Sequence, residues 1–335
     1  METRPDIRLE LLQEWLAARL GADAFSLSPA SEDASFRRYF RISSGPGSWI
    51  AMDAPPERED CRPFVRVAAL MRAAGVHVPE ILAQDLERGF LLLTDLGTTT
   101  YLQALDVTNA DELFRDAIEA LIKLQLASRP GVLPPYDETL LRREIELFAQ
   151  WYLTRHLGLT LTADEQEVLA TATRLVLANN LAQSTVYVHR DYMPRNLLVT
   201  EPNPGVLDFQ DAAFGPITYD VMSLFKDAFV SWEEERVLDW TARYWEKAKR
   251  AGLPVSADFG TFYRDFEWMG LQRHLKVLGI FARIRHRDGK SGYVEDAPRF
   301  LRYVRAVCER YTPLAPLLAL LDRVERRQPA VGCTT

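Results

Sequence analysis

Asp191, Asn196 and Asp208 are the residues of this chain whose types and spacing suit chemistry. They lie in Tyr187-Val188-His189-Arg190-Asp191-Tyr192-Met193-Pro194-Arg195-Asn196 and, after an apolar run and a turn, in Gly205-Val206-Leu207-Asp208-Phe209-Gln210-Asp211. The chemistry they fit is phosphoryl transfer. That reaction needs hard oxygen ligands for metal ions that bridge nucleotide phosphates, and a carboxylate aimed at the attacking hydroxyl. Asp191 can accept the proton, and Asn196 and Asp208 can offer oxygens to Mg²⁺. Little covalent work is asked of the protein, so Asp191 matters for positioning and electrostatics. Val186-Tyr187-Val188 predicts a short buried strand, and Glu201-Pro202-Asn203-Pro204-Gly205 predicts a turn. Val206-Leu207 predicts a returning strand. The expected unit is a hairpin with Asp191 and Asn196 on one side and Asp208 on the other. A merely solvated surface hairpin does not explain why both polar loops fall at the ends of apolar strands.

Other elements must hold this hairpin. Residues 7–20 have the apolar spacing of an amphipathic helix, stopped by Gly21. Strands are predicted near 24–27, 36–42 and 48–53, joined early by the small polar stretch 28–35. A helix over 61–74 ends at Gly75. Strands follow near 79–83 and 89–94, the second apolar on both faces and so expected to be interior. After Asp95-Leu96-Gly97 the pattern turns helical, with helices near 109–127, 138–156 and 163–181. Gly215-Pro216-Ile217-Thr218-Tyr219-Asp220-Val221 starts another helix. Asp220 sits in its first turn, where a carboxylate is favoured and can bond the backbone of the Asp191 loop. Helices near 233–251, 257–286 and 296–325 complete the chain. The stretch 259–287 is aromatic and basic, and Gln272-Arg273-His274-Leu275-Lys276 places several donors on one helical turn.

Composition narrows the function class. The 335 residues are 47% hydrophobic, enough for a substantial core. A net charge of -7 does not suggest general affinity for nucleic acid or anionic membrane. No apolar run is long enough to span a bilayer, and Met-Glu-Thr-Arg-Pro-Asp lacks a signal-peptide layout. Cys61, Cys308 and Cys333 are few, odd in number and far apart, as in a reducing cytoplasm. The histidines show no metal-binding spacing.

The pattern from His189-Arg190-Asp191 to Asn196, followed by Asp208-Phe209, resembles the catalytic and metal loops of protein kinase-like enzymes. With Gln210-Asp211 and Tyr219-Asp220 it resembles the aminoglycoside phosphotransferase branch, which includes choline, homoserine and other small-molecule kinases. Further segments are similar to the bacterial anomeric N-acetylmuramate/N-acetylglucosamine kinases. These are Asp33-Ala34-Ser35-Phe36-Arg37-Arg38-Tyr39-Phe40-Arg41, Met52-Asp53-Ala54-Pro55-Pro56-Glu57, Tyr192-Met193-Pro194-Arg195-Asn196, Gly215-Pro216-Ile217-Thr218-Tyr219-Asp220 and Arg273-His274-Leu275-Lys276-Val277-Leu278-Gly279-Ile280. The resemblance covers nearly the whole chain.

The fold it implies is α+β, a bilobal protein kinase-like architecture. A small β-rich lobe with an antiparallel sheet spans 1–95 and binds nucleotide. A large α-helical lobe spans 96–335, with the hinge about 94–98. The implied activity is ATP- and Mg²⁺-dependent phosphorylation of the anomeric hydroxyl of a cell-wall amino sugar, in peptidoglycan recycling. Asp191 is implied as base, and Asn196 and Asp208 as metal ligands. The loop of small residues with Ser35, Arg37 and Arg38 is expected over the phosphates, and Thr94, Asp95 and Leu96 at the adenine. Arg195, Gln210, Asp211, Arg273, Lys276 and Trp268 are expected at the sugar, with Arg195, Arg273 and Lys276 as candidate partners of a lactyl carboxylate. The expected partners are ATP and an amino sugar, with no nucleic acid or membrane, for a cytoplasmic monomer.

One departure matters. Strand 48–53 carries Met52 or Asp53 where a phosphate-pairing lysine is expected, and helix 61–74 lacks the matching glutamate. The charge must be met by Arg37, Arg38, another cation or metal alone. The resembled subfamily has the same Met-Asp-Ala-Pro-Pro. Two alternatives stand beside the sugar kinase: transfer to an aminoglycoside, choline or another amino alcohol, and an inactive nucleotide-binding scaffold.

Overall fold

Period-two alternation in the first hundred residues becomes an antiparallel sheet, and period 3.6 thereafter becomes a helical body. The structure is a computed structural model that describes residues 6–21, 25–31, 36–45, 47–227, 229–290 and 292–327. Helix α1 (Ile7–Leu20) precedes β1 (Ser26–Ser31), β2 (Arg38–Ser44) and β3 (Gly47–Asp53). Then come α2 (Arg62–Ala73), β4 (Ile81–Asp85), β5 (Phe90–Thr94), α3 (Tyr101–Ala104) and α4 (Ala110–Leu126). Helix α5 (Glu138–Ile145), a π-helical segment Phe148–His156 and α6 (Ala163–Leu181) lead to β6 (Thr185–Val188). A 3₁₀ turn, Pro194–Asn196, precedes β7 (Leu197–Leu198), β8 (Gly205–Val206) and β9 (Ala213–Pro216). Helices α7 (Tyr219–Phe225), α8 (Glu234–Arg250), α9 (Phe259–Asp288), α10 (Ala297–Arg310) and α11 (Ala315–Arg327) follow.

The chain forms two compact units. One comprises Met1–Lys123 and Arg195–Asp211, the other Leu124–Pro194 and Ala212–Thr335. The first holds the sheet, in strand order β1-β2-β3-β5-β4 with every pairing antiparallel. Strand β5 is interior, and Phe90, Leu91, Leu92 and Leu93 are all buried. Leu12, Trp15 and Leu16 of α1 pack on Ile42, Ala51, Phe90 and Leu92. Asp6 caps α1 by accepting from the Leu9 N–H, and Gly21 at φ 60 ends it.

The β7–β8 hairpin belongs to this first unit. The Val199 N–H donates to the Thr99 carbonyl at 2.9 Å, and the Val206 N–H to the His77 carbonyl at 2.7 Å. These bonds tie the hairpin to the chain on both sides of the expected hinge at 94–98, which lies inside the unit. The expected hairpin therefore needs correction. The strand before Asp191 does not join it; β6 pairs with β9, Val188 opposite Ala213, while Leu197 pairs with Val206. Residues 213–216, expected to start a helix, form β9, and α7 begins only at Tyr219.

In the second unit α9 runs for 30 residues through the core, with buried residues on all sides. Gly279 permits a close approach: a Cβ there would lie 2.3 Å from the backbone carbon of Leu147. Two expected helices are each divided. The 138–156 stretch is α5 followed by the π-helical segment. The 296–325 stretch breaks at Thr312–Leu314, where Pro313 lacks the N–H the helix needs and Pro316 lies in the first turn of the next helix. Among the described residues no helix is long and apolar enough to cross a membrane.

Candidate active site

In the second unit the chain leaves β6 at Val188 into His189-Arg190-Asp191. Asp220, fully buried in the first turn of α7, holds this turn from below. Its Oδ2 accepts from the His189 N–H at 2.6 Å and its Oδ1 from the Arg190 N–H at 3.0 Å. Arg190 takes φ 77, a left-handed conformation that a non-glycine residue keeps only when its surroundings over-determine it. Burial pushes the Asp220 pKa up to about 7, against the pull of the two N–H donors and of Arg273. The Asp191 N–H points at His189 Nδ1 at 3.3 Å, and the Met193 N–H donates to the Asp191 carbonyl at 3.0 Å. The result is a tightly fastened turn that fixes the backbone of Asp191, a half-buried residue.

A buried ionic network fastens the same turn from α5 and α9. Glu144 Oε1 accepts from Arg190 at 2.9 Å and from Lys276 Nζ at 3.0 Å, and its other oxygen accepts from the Tyr136 hydroxyl. Lys276 also donates to the Tyr219 hydroxyl at 3.1 Å. Arg273 donates to the Arg190 carbonyl and to the Tyr219 hydroxyl, each at 3.4 Å. Burial opposes the Glu144 charge, but Lys276, Tyr136 and Arg190 outweigh it and hold its pKa below the usual carboxylate range. Burial likewise opposes the Lys276 charge, and Tyr219, Glu144 and Asp191 raise its pKa above the ordinary value. Arg273 and Lys276, expected at a sugar carboxylate, are therefore both engaged inside the protein. Glu144 escaped the sequence reading. Its one local signal is that a charged residue occupies the apolar stripe of Leu141, Ile145 and Phe148.

The metal-type ligands are in the first unit. Asn196 ends the 3₁₀ turn before β7, and Asp208 follows β8 with φ 63. Asn196 Nδ2 lies 3.3 Å from Asp208 Oδ2, so the hairpin brings the two side chains together. Gln210 Nε2 donates to Asp208 Oδ1 at 2.8 Å. Gln210 Oε1 is buried with no hydrogen-bond partner among the described residues. A carboxylate, a carboxamide and an orphaned amide oxygen form a hard donor set, which fits Mg²⁺. Among the described residues no group of three or more His, Cys, Asp or Glu could hold a metal alone.

The nucleotide-side candidates of the first unit separate. Ser35 lies outside the described residues. Arg38 forks between Asp6 and the fully buried Asp53, which Arg8 also meets at 2.5 Å. Asp53, at the position expected for lysine, thus gathers two arginines of α1 and β2. Arg37 pairs with Glu59 at 3.1 Å. Thr94 fixes the start of β4, its Oγ1 accepting from the Glu80 N–H at 2.8 Å. Asp95 accepts from Arg41 at 2.7 Å, Ser48 at 2.5 Å and the Gly97 N–H at 2.9 Å. Burial raises the Asp95 pKa, but these donors outweigh it and hold it low. The Asp95 side chain is thus a brace, and Leu96 stands against Gly205.

Of the remaining candidates, Arg195 and Asp211 are exposed in the first unit. Trp268 is buried in the helical core, its ring centroid 5.7 Å from that of Tyr311 at a steep angle.

The family described as "Phosphotransferase enzyme family" matches residues 26–257. The sequence is 53% identical over 330 residues to the N-acetylmuramate/N-acetylglucosamine kinase of Pseudomonas putida, covering 96% of this chain and 97% of that protein. It is 60% identical over 298 residues to the enzyme of the same name from Pseudomonas aeruginosa, covering 88% of this chain and 87% of that protein. In fold it is similar to choline kinase LicA from Streptococcus pneumoniae, with a TM-score of 0.64 and 13% identity over 91% of this chain and 100% of that one. With the family matched over most of its length, this chain belongs to the phosphotransferase enzyme family and is a kinase.

Proposed function

We propose that the protein transfers the γ-phosphoryl group of ATP to the anomeric hydroxyl of N-acetylmuramate and N-acetylglucosamine, giving the sugar 1-phosphates used in peptidoglycan recycling. The observation that carries this reading is the turn Asp220 holds, in which Arg190 takes a left-handed conformation directly before Asp191, in a chain so similar along its length to two kinases of those sugars. Asp191 accepts the proton of the attacking hydroxyl. A free anomeric hydroxyl is more acidic than an ordinary alcohol, which eases that task. Asn196 and Asp208 hold Mg²⁺, with Gln210 orienting the Asp208 carboxylate; the metal, when bound, neutralises charge on the phosphates. The backbone of 94–98 serves the adenine. ATP and the amino sugar are the partners of a cytoplasmic monomer.

An inactive scaffold is supported only by the missing strand lysine, and the retained Asp191, Asn196 and Asp208 speak against it. ADP release by the purified protein with ATP and Mg²⁺ tests the reading. Turnover is expected with N-acetylmuramate and N-acetylglucosamine, and not with kanamycin or choline. Asp191→Ala should lower kcat by about 10²–10⁴-fold. Turnover with kanamycin or choline alone, or near-intact activity of Asp191→Ala, contradicts it.

A further inference from the structure

Asn196 and Asp208 stand at the open end of a hairpin whose strands, β7 and β8, are two residues long each. A hairpin this short is marginal by itself, so contacts outside its ladder must fix the pair. The turn at its other end makes them. Asn203, half-buried in that turn, engages both its amide nitrogen and its amide oxygen. Its Nδ2 donates to the Tyr101 hydroxyl and to Asp116 Oδ2, each at 2.8 Å, and its Oδ1 accepts from the Thr200 N–H at 3.3 Å. Tyr101 opens α3 and is fully buried, and Asp116 lies within α4. The bond to Asp116 is charge-assisted and so among the stronger kind. His77 also clasps the turn: its Nδ1 lies 2.7 Å from the Pro202 carbonyl, which can only accept, so the ring proton is on that nitrogen.

A run of short contacts joins this turn to the metal-type pair. The Thr200 N–H bond to Asn203 closes the turn directly after Val199, whose own N–H donates to the Thr99 carbonyl at 2.9 Å. The ladder then runs through Leu198 opposite Gly205 and Leu197 opposite Val206. It ends where the Leu207 N–H donates to the Asn196 carbonyl at 2.9 Å and Asn196 Nδ2 stands 3.3 Å from Asp208 Oδ2. Gly205 is crowded, since a Cβ there would lie 3.0 Å from Thr200 Cγ2 and 3.1 Å from Leu96 Cδ1. The hairpin thus has little room to slide, and a displacement of the turn passes along it to the pair. Every one of these residues lies in the first unit.

We propose that Asn203, held by Tyr101 and Asp116, is a positioning residue of the metal site. It fixes the turn of the hairpin and thereby keeps Asn196 and Asp208 together for ATP·Mg²⁺. The assignment rests on the reading of those two residues as the magnesium ligands of an ATP-dependent kinase. Loosening the turn leaves the paired arrangement only fractionally populated, and apparent affinity for the metal-bearing nucleotide falls by that fraction.

Calorimetric titration with ATP, once in Mg²⁺ and once in EDTA, tests this without a sugar. The wild type should bind ATP·Mg²⁺ more tightly than metal-free ATP, and Asp208→Ala should abolish that gain. Asn203→Ala should weaken ATP·Mg²⁺ binding by about 10-fold, the effect of one charge-assisted hydrogen bond, with metal-free ATP bound as in the wild type. Asn203→Asp should lose at least as much, because two carboxylates then face each other. Adding Asp116→Asn to Asn203→Asp exchanges donor and acceptor and should restore the gain, which decides the matter even where the alanine variant folds poorly. If Asp208→Ala abolishes the gain while Asn203→Ala keeps it, the assignment fails and the metal reading stands. If Asp208→Ala keeps the gain, the metal reading fails and takes the assignment with it. Equal losses with and without Mg²⁺ in Asn203→Ala place the effect on the fold and overturn the assignment, as does a double variant no better than Asn203→Asp.

Discussion

Lys276 on α9 and Arg190 in the Asp191 turn share one oxygen of the Glu144 carboxylate, at 3.0 Å and 2.9 Å. A single buried anion thus anchors the turn to the longest helix of the second unit. Removing it leaves two cations without their counter-charge in a site where Lys276 is 7% exposed. Glu144→Ala is expected to destabilise the protein by about 3–5 kcal/mol. Glu144→Gln, which keeps the shape and a hydrogen-bonding group, should cost less. Denaturant unfolding measures both. Equal stability of wild type and Glu144→Ala would show that the network holds nothing in place.

His274 gives the stability a defined pH dependence. It is fully buried, and burial, with Lys226 and Arg273 nearby, pushes its pKa down to about 3. Its Nε2 lies 3.3 Å from the Lys226 carbonyl, which assigns the ring proton to that nitrogen and leaves Nδ1 with no partner among the described residues. The folded pKa is below the unfolded one, so the unfolded chain takes up the proton first. The contribution of neutral His274 is complete above about pH 6.5 and is lost as pH falls toward 3. Between pH 7 and pH 5 this amounts to about 2 kcal/mol. Unfolding free energies at the two pH values, for wild type and His274→Asn, should show the steeper fall in the wild type. Parallel slopes would remove His274 as the cause.

Gly279 is where α9 comes closest to Leu147, just ahead of the π-helical segment. An alanine Cβ would lie 2.3 Å from the Leu147 backbone carbon and 2.5 Å from its Cβ. Backbone cannot yield as a flexible side chain does, so Gly279→Ala should cost about 1–3 kcal/mol. The higher helix propensity of alanine works the other way by about 1 kcal/mol. A melting temperature at or above that of the wild type would mean that the two elements separate easily.

What the sequence makes legible follows from how local the determining contacts are. Residues 7–20 and 163–181 are helical with the expected ends, because Asp6 and Gly21, and the Thr162–Glu165 capping box, mark them locally. The Asn196–Asp208 contact follows from a short hairpin whose turn residues are plain in the sequence. Partner choice among strands was not legible: β6 is as apolar as β8, and only the structure shows that it pairs with β9. The inward fate of Arg273 and Lys276 was equally hidden. Helical spacing puts them on one turn, but the residue that draws Lys276 in, Glu144, is far away in sequence. The role of Asp53 also depends on distant residues, since Arg8 and Arg38 reach it from α1 and β2.

The central claim concerns which oxygen receives the phosphate, and NMR of the purified product answers it directly. After reaction of N-acetylmuramate with ATP and Mg²⁺, the ³¹P signal should couple to the anomeric proton, and the sugar should have lost its reducing-end reactivity. A phosphate coupled to the C6 protons, with the reducing end intact, would contradict the account.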